Sequence, residues 1–416
     1  MKKEKIPEDW EVVELGSIIK EIKNGFASGK RDENGIVQIR MNNVTTDGRL
    51  TFDSYLKVPV PENVKEFLLK ENDFLFNNTN SIDLVGKSTA FKQAPFPCVF
   101  SNHFTRIRFK DNLILPEIIL YHFLMLWKKG YFKSIAIRHV GQSAVQTGYL
   151  LKLKIPLPPL EEQKAIALIL STVDEAIQKS DEIIGKTERL KKGLMQKLLT
   201  RGIGHTEFKD SELGRIPKGW EVVRLVEVSR NFIGGGTPST ENQEYWNGNI
   251  AWMTSAHING RFIIEGQKQI TKEGLEKSAT NLVPKDNLLV ATRVGIGKVA
   301  INKIDMAISQ DLTGIIVDKE KTTEEFLYWC IINNPRKLKS LAQGSTIKGV
   351  LREELGRLKV PLPHPSEQQK ISSILSAVDE KLGLERKRKL GLERVKMGLM
   401  RELLTGRKRV DVKRRY

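Results

Sequence analysis

The residues best equipped for chemistry lie in short polar runs that follow stretches rich in β-branched and aromatic residues. Arg40-Met41-Asn42-Asn43, Asn77-Asn78-Thr79-Asn80, Thr254-Ser255-Ala256-His257 and Thr292-Arg293 each come just after a predicted strand, with amides, hydroxyls and cations able to reach base edges or phosphates. Arginine is the usual bidentate reader of guanine O6 and N7, worth about 1–3 kcal/mol of discrimination per good pair. A lone surface arginine is more often solvated or bound to phosphate, so Arg293 and Lys298 carry both readings. The run Gly234-Gly235-Gly236-Thr237-Pro238-Ser239-Thr240 lets backbone amides approach a phosphate closely, with a plain flexible turn as the competing reading. Gly141-Gln142-Ser143-Ala144-Val145-Gln146 and Gly344-Ser345-Thr346-Ile347-Lys348 occupy equivalent places ahead of two Pro-Leu-Pro junctions and are read as interface loops.

Several reactions lack their motifs. Gly86-Lys87-Ser88-Thr89 and Gly297-Lys298 carry the Gly-Lys end of a phosphate-binding loop, but the glycine required five residues earlier is Ser81 in one and Thr292 in the other. An ATPase is excluded on that ground. No Asn/Asp-Pro-Pro-aromatic run marks an amino-methyltransferase, no GxGxxG opens a dinucleotide-binding unit, and no convincing nuclease carboxylate cluster stands out. His103, His139 and His257 have no acid, metal partner or nucleophile at a useful spacing and read as polar surface or interface residues. Cys98 and Cys330, with neither CxxC nor Cys/His spacing, argue against a zinc site and a disulfide framework. The expectation is a chain with no catalytic and no metal-binding residues. An enzyme that cuts or methylates nucleic acid on its own and a helical scaffold of incidental basicity are the rival classes.

Charge points to the partner. Lys and Arg number 68 against 50 Asp and Glu, a formal net charge of +18. Each phosphate neutralised by such a surface releases condensed counterions, which favours a polyanion without separating DNA from RNA or acidic lipid. The basic tail, Gly406-Arg407-Lys408-Arg409 and Lys413-Arg414-Arg415, reads as a solvated terminus that touches DNA nonspecifically. The start, Met1-Lys2-Lys3-Glu4-Lys5, meets no apolar stretch, so no secretory signal and a cytoplasmic location are expected. Leu113 to Trp127, the most apolar region, is interrupted by Pro116, Glu117 and His122 and is too short to span a bilayer; it reads as a buried helix.

At 416 residues two or more domains are expected, and internal repetition supports this. Ile6-Pro7, Trp10-Glu11-Val12-Val13 and Leu15 recur as Ile216-Pro217, Trp220-Glu221-Val222-Val223 and Leu225. A longer gapless match runs from Pro156-Leu157-Pro158 through Glu162-Gln163, Val173-Asp174-Glu175 and Gly193-Leu194-Met195 to Leu198-Leu199-Thr200. Its partner runs from Pro361-Leu362-Pro363 through Glu367-Gln368, Val378-Asp379-Glu380 and Gly398-Leu399-Met400 to Leu403-Leu404-Thr405. Between these blocks the copies differ. Each has shared ends and a variable middle.

The shared closing block predicts a long helix in both copies, free of internal proline. Its apolar stripe is Ile166, Leu170, Val173, Ile177, Ile184, Leu194 and Leu198 in the first copy, and Ile371, Leu375, Val378, Leu382, Leu392, Leu399 and Leu403 in the second. A stripe of that length cannot face water, so the two helices are expected to pair, antiparallel, with ordinary bundle core as the bland alternative. From Glu161 to Leu199 such a helix would be on the order of 60 Å long.

Taken in order, Trp-Glu after Ile-Pro, Gly-Gly-Thr-Pro-Ser at 235–239, Pro-Leu-Pro followed by Glu-Gln, and the duplicated helix resemble the specificity subunits of type I restriction-modification systems, over essentially the whole chain. The resemblance implies an α+β fold of two similar target-recognition domains (1–155 and 204–360) joined by two long antiparallel spacer helices (156–203, and 361–416 with the basic tail) in pseudo-two-fold symmetry. It implies a non-catalytic subunit whose domains each read half of a bipartite double-stranded DNA target, while the helices set the gap and dock partners. Those partners would be two modification subunits that bind S-adenosylmethionine, and restriction subunits that use ATP and Mg²⁺; no cofactor would bind here. The expected DNA contacts are Lys30, Arg31, Arg40, Asn42, Asn78, Asn80, Lys87, His103, Gln142 and Ser143, then Thr237, Ser239, Thr254, Ser255, Arg293, Lys298, Ser345, Thr346 and Lys348. One departure from the family pattern is Asn24-Gly25-Phe26-Ala27-Ser28 where the second copy has its glycine-rich loop.

Overall fold

Why the shared blocks frame a variable middle becomes plain from strand pairing. The computed structural model describes residues 6–342 and 349–411. The chain divides into two compact units, residues 1–181 with 387–416, and residues 182–386. In the first unit Glu11–Glu14 pairs antiparallel with Lys154–Leu157, Val12 opposite Pro156. In the second Glu221–Arg224 pairs with Lys359–Leu362, Val222 opposite Pro361. The opening and closing blocks of each copy are thus bound to each other. The ribbon has only two strands, so it has free edges and tolerates a proline that lacks an N–H.

Between these ends each unit builds two main sheets. In the first unit an antiparallel sheet runs Ile19–Asn24, Phe104–Phe109, Phe74–Asn77, Ser88–Ala90. A second sheet sets Ile36–Ile39 between Leu56–Val58 and a parallel Cys98–Phe100. The second unit keeps the first sheet as Ser229–Gly234, Leu312–Val317, Asn287–Ala291 and Val299–Asn302, adding Phe262–Ile263. It keeps the second as Trp246–Met253 between Lys268–Ile270 and a parallel Met306–Ile308, adding Asn281–Val283. Alternation decides which core each strand residue enters. Phe74 and Phe76 pack with Ile119 and Phe123, while Leu75 packs with Ile39 and Phe100. In the second unit Leu288 and Val290 share a core with Phe326, and Leu289 and Ala291 one with Met253 and Ile308. Of the runs rich in β-branched and aromatic residues that predict strands, 74–77 and 312–317 agree residue for residue, and 35–41, 105–109, 249–253 and 288–292 are displaced at their ends by one to three residues. The apolar stretch before Trp127 is the helix Pro116–Lys128, as expected.

The long helices are Leu160–Arg201, 42 residues, and Pro365–Leu403, 39 residues. The first is about 63 Å long at 1.5 Å rise per residue. Each is followed by a left-handed glycine, Gly202 (φ +64°) and Gly406 (φ +70°), where a side chain would strike Glu367 and Pro7 respectively. In both units the helices pair antiparallel. Asp174 meets Lys396 and Asp181 meets Lys389, both at 2.5 Å, in the first unit; Glu188 meets Arg386 and Lys191 meets Asp379, both at 2.6 Å, in the second.

The predicted stripe is covered throughout. Ile166, Leu170, Ile177, Leu198, Ile371, Leu375, Leu382 and Leu403 are buried, and Val173, Ile184, Leu194, Val378, Leu392 and Leu399 are half-buried. Part of what covers it was not foreseen. Ile166 and Leu170 pack with Met400 and Leu403, and also with Trp10, Ile118 and Tyr121 of the variable domain.

Polar contacts make that docking specific, in the same way twice. Glu162 accepts the Trp10 indole N–H at 3.0 Å, and Glu367 that of Trp220 at 2.9 Å. Gln163 donates to the Pro158 and Leu113 carbonyls and Gln368 to those of Pro363 and Lys321, so each ties its helix start to the loop ahead of a domain helix. Further along, Tyr121 donates to Asp174 at 3.0 Å, while Lys396 Nζ lies 5.4 Å above the Tyr121 ring. In the second unit Tyr328, Asp379 and Lys191 take these places. Burial and the Asp379 carboxylate push the Tyr328 hydroxyl up to about 12, and Lys191 stacks 5.2 Å over neighbouring Trp329. Asp174 therefore serves its domain and the opposite helix together, while Asp379 pairs with the opposite helix and its charge is felt at Tyr328.

His122, buried on the helix Pro116–Lys128, bonds to the backbone of Pro156 and leaves Nε2 without a partner. Burial brings its imidazole down to about 4 from an ordinary 6.5. The unfolded chain takes up a proton that the folded unit refuses, so this contribution is complete above pH 6.5 and is lost as pH falls toward 4. The loss amounts to roughly 3 kcal/mol. His122→Gln should flatten the dependence of unfolding free energy on pH in that window; an unaltered slope in urea titrations would contradict the assignment.

Candidate nucleic-acid interface

The polar runs singled out in the sequence converge because of one backbone junction. In the first unit the Asn78 N–H donates to the His103 carbonyl at 3.0 Å and the Asn78 carbonyl accepts from the Val145 N–H at 2.9 Å. In the second the Thr292 N–H donates to Asp311 at 2.9 Å and the Thr292 carbonyl accepts from Val350 at 2.8 Å. Three loops, those after the third strand of the main sheet, before its second strand, and ahead of the closing ribbon, are laced together. A fourth joins them at a glycine. A Cβ on Gly25 would lie 2.2 Å from the Ser101 carbonyl oxygen, and one on Gly235 2.0 Å from that of Ile308. The first unit lacks the full Gly-Gly-Thr-Pro-Ser run, but it keeps the glycine that the close approach requires.

Side chains complete the first junction. Asn78 Nδ2 donates to Thr105 Oγ1 at 2.9 Å, and that hydroxyl donates to Asn24 Oδ1 at 2.8 Å. Asn78 Oδ1, Ser101 Oγ and His103 Nδ1 are left buried without partners. Burial, helped by the Arg40 charge, holds His103 below the ordinary histidine range, so at neutral pH the ring is uncharged. Arg40 itself donates to Gln38 Oε1 and the Ser28 carbonyl, both at 3.1 Å, which ties the loop that carries Lys30 to the sheet.

In the second unit the glycine-rich loop is not a free turn. Trp252 donates to the Gly236 carbonyl at 3.2 Å, Trp246 to that of Ser239 at 2.9 Å, and Thr237 to Gln310 Oε1 at 2.7 Å. Beside it opens a cleft lined by Gly234, Gly235, Arg293, Gln310, Thr313 and Arg352.

Of the nominated contacts, Lys30, Arg31, Asn42, Gln142, Thr237, Ser239, Arg293 and Lys298 are exposed, and Arg40, Asn78, His103 and Thr254 half-buried. Four lie inside: Asn80, Lys87, Ser143 and Ser255. Lys87 is the clearest correction. Its ammonium donates to the Val44 and Met41 carbonyls at 2.6 and 2.9 Å, so it supports the 41–44 turn from within. Asn80 is spent on Asn77 Oδ1 at 2.6 Å. Lys298 follows the corresponding left-handed glycine, yet it is exposed. Ser345, Thr346, Lys348 and the Lys413–Arg415 part of the tail fall outside the described residues. Within the tail Arg409 is engaged, bridging Asp9 at 2.7 Å and Glu162 at 2.8 Å.

Four residues of the junctions, Asn24, Thr105, Gln310 and Arg352, were missed. A faint signal existed for two of them, in the parallel runs Ser101-Asn102-His103-Phe104-Thr105 and Ser309-Gln310-Asp311-Leu312-Thr313.

A scaffold built twice, with shared docking contacts and divergent loop side chains, defines a protein of two repeated domains, each docked on long helices. Residues 7–186 and 217–394 each match the family described as type I restriction modification DNA specificity domain, and the chain belongs to that family. Its members are targeting subunits, with catalysis carried by other chains. Among relatives, the protein named as the MjaX type I restriction enzyme specificity subunit of Methanocaldococcus jannaschii is 33% identical over 410 residues, covering 97% of this chain and 95% of the relative. The MjaVIII specificity subunit of the same organism is 29% identical, with 98% and 94% covered. A type I restriction-modification S subunit from M. genitalium shares the fold, at a TM-score of 0.59 and 15% identity, over 97% of this chain and 98% of that one.

Gly25→Ala and Gly235→Ala should each destabilise the unit concerned, near the upper end of about 1–3 kcal/mol, because the obstructing atom is a backbone carbonyl. Gly219→Ala, where a Cβ meets nothing within 4 Å, should change stability by less than about 0.5 kcal/mol. Equal melting of all three variants would show that the close approach carries no constraint.

Proposed function

We propose that the two variable domains each read one half of an interrupted double-stranded DNA target and that the long helices set the gap between the halves. The observation that carries this reading is the duplicated junction. Its backbone is the same in both units, yet its side chains differ: Asn78 against Thr292, His103 against Asp311 and, at the exposed position beside it, Asn102 against Gln310. A constant frame with divergent reading groups suits two different half-sites. The net charge of +18 supplies the sequence-independent attraction.

The partners would be two modification subunits, which bring S-adenosylmethionine and methylate adenine, and restriction subunits, which bring ATP and Mg²⁺, all in the cytoplasm. The helices offer docking surface for them, since Leu168, Leu190, Leu384, Leu390 and Val395 are exposed. Among the described residues no helix is long and apolar enough to cross a membrane.

Co-expression with the modification subunit, followed by mapping of methylated adenines, should reveal one two-part motif; a continuous motif or none would refute the reading. Inserting four residues into one long helix adds about 6 Å of axis, one to two base pairs, and should lengthen the gap accordingly. An unchanged gap would rule out the helices as its determinant.

A further inference from the structure

Because the junction is built twice, each unit serves as a control for the other, and the cleft beside it differs in one respect. Val145 and Val350 make the same backbone bond. Two residues further on, at the start of a short helix in each case, stands Thr147 in the first unit and Arg352 in the second. The guanidinium of Arg352 rests over the loop, 3.3 Å from where a Cβ on Gly234 would sit.

Other arginines of the second domain are engaged: Arg224 with Glu227, Arg230 with Asp318 and Glu320, Arg357 with Glu354, Arg261 with Ser376. Among the described residues Arg293 and Arg352 have no ion pair and no side-chain hydrogen bond, and they line one cleft. Gln310 lines the same cleft, and its carbonyl oxygen accepts from Thr237. The two guanidinium groups can only donate, so donors dominate what this cleft offers a ligand. In the major groove guanine alone shows two adjacent acceptors, O6 and N7; adenine pairs an acceptor with a donor, and cytosine shows a donor. The corresponding first-unit residues, Thr79, Asn102 and Thr147, are uncharged and mix donors with acceptors.

We infer that Arg352 is a specificity-determining residue of the second unit, reading a guanine in its half-site through both guanidinium nitrogens, with no counterpart in the first. The inference rests on the two-part reading proposed above. Its test is methylation mapping with the assembled complex carrying Arg352→Ala or Arg352→Lys. Both variants should keep the first half-site and the gap, and both should lose discrimination at one guanine of the second half-site by on the order of 10- to 100-fold, lysine failing because it lacks the planar fork. Arg352 is exposed, and continued recognition of the first half-site reports an intact fold. An unchanged motif with weaker binding and a shallower salt dependence would make Arg352 a phosphate contact and overturn the inference. A wild-type complex with no two-part motif would instead defeat the underlying reading, which keeps the two failures apart.

Discussion

One carboxylate of the first long helix, shared between a variable domain and the opposite helix, is the contact on which the architecture of the first unit depends. Asp174 accepts from Tyr121 and pairs with Lys396; Asp379 pairs with Lys191 beside Tyr328. Apolar packing alone would let a domain slide or rotate along a helix, because dispersion and desolvation are not directional. A charged, hydrogen-bonded group admits one register. The Trp10–Glu162 and Trp220–Glu367 bonds add a second fixed point near each helix start, so each domain is held both axially and rotationally.

The segments that follow the two long helices take part in this fixation. After Gly406 the second long helix sends Arg409 back onto Glu162 and Asp9, and after Gly202 the first sends His205 onto Glu367 at 2.9 Å. Both glutamates thus sit between an indole and a second nitrogen donor, a guanidinium in one unit and an imidazole in the other.

Much of this was legible in the sequence because duplication separates what is constrained from what is free. The paired blocks Trp-Glu-Val-Val and Pro-Leu-Pro, the glutamate and glutamine at each helix start, and Asp174 with Asp379 all lay within the matched segments, and each proves to make a contact that both units need. The long helices were legible from periodicity and the absence of proline. The reading surface was less so. Whether Gly86-Lys87 faces solvent depends on how far the 41–44 turn closes over the ammonium, a tertiary matter that leaves no local trace. Arg352 carries no mark of its own in the sequence; the backbone bond from Val350 to Thr292 is what brings it to the cleft. The docking role of Tyr121 was hidden inside an apolar stretch read simply as buried.

The shared-carboxylate claim is tested most directly by a double-mutant cycle on Asp174→Asn and Lys396→Met, with unfolding of the first unit followed in denaturant. If Asp174 joins domain and helix as described, the two losses will be coupled by about 1–3 kcal/mol, the double variant being little worse than the poorer single one. Strictly additive losses would mean that the pair is incidental and that apolar packing by itself sets the register.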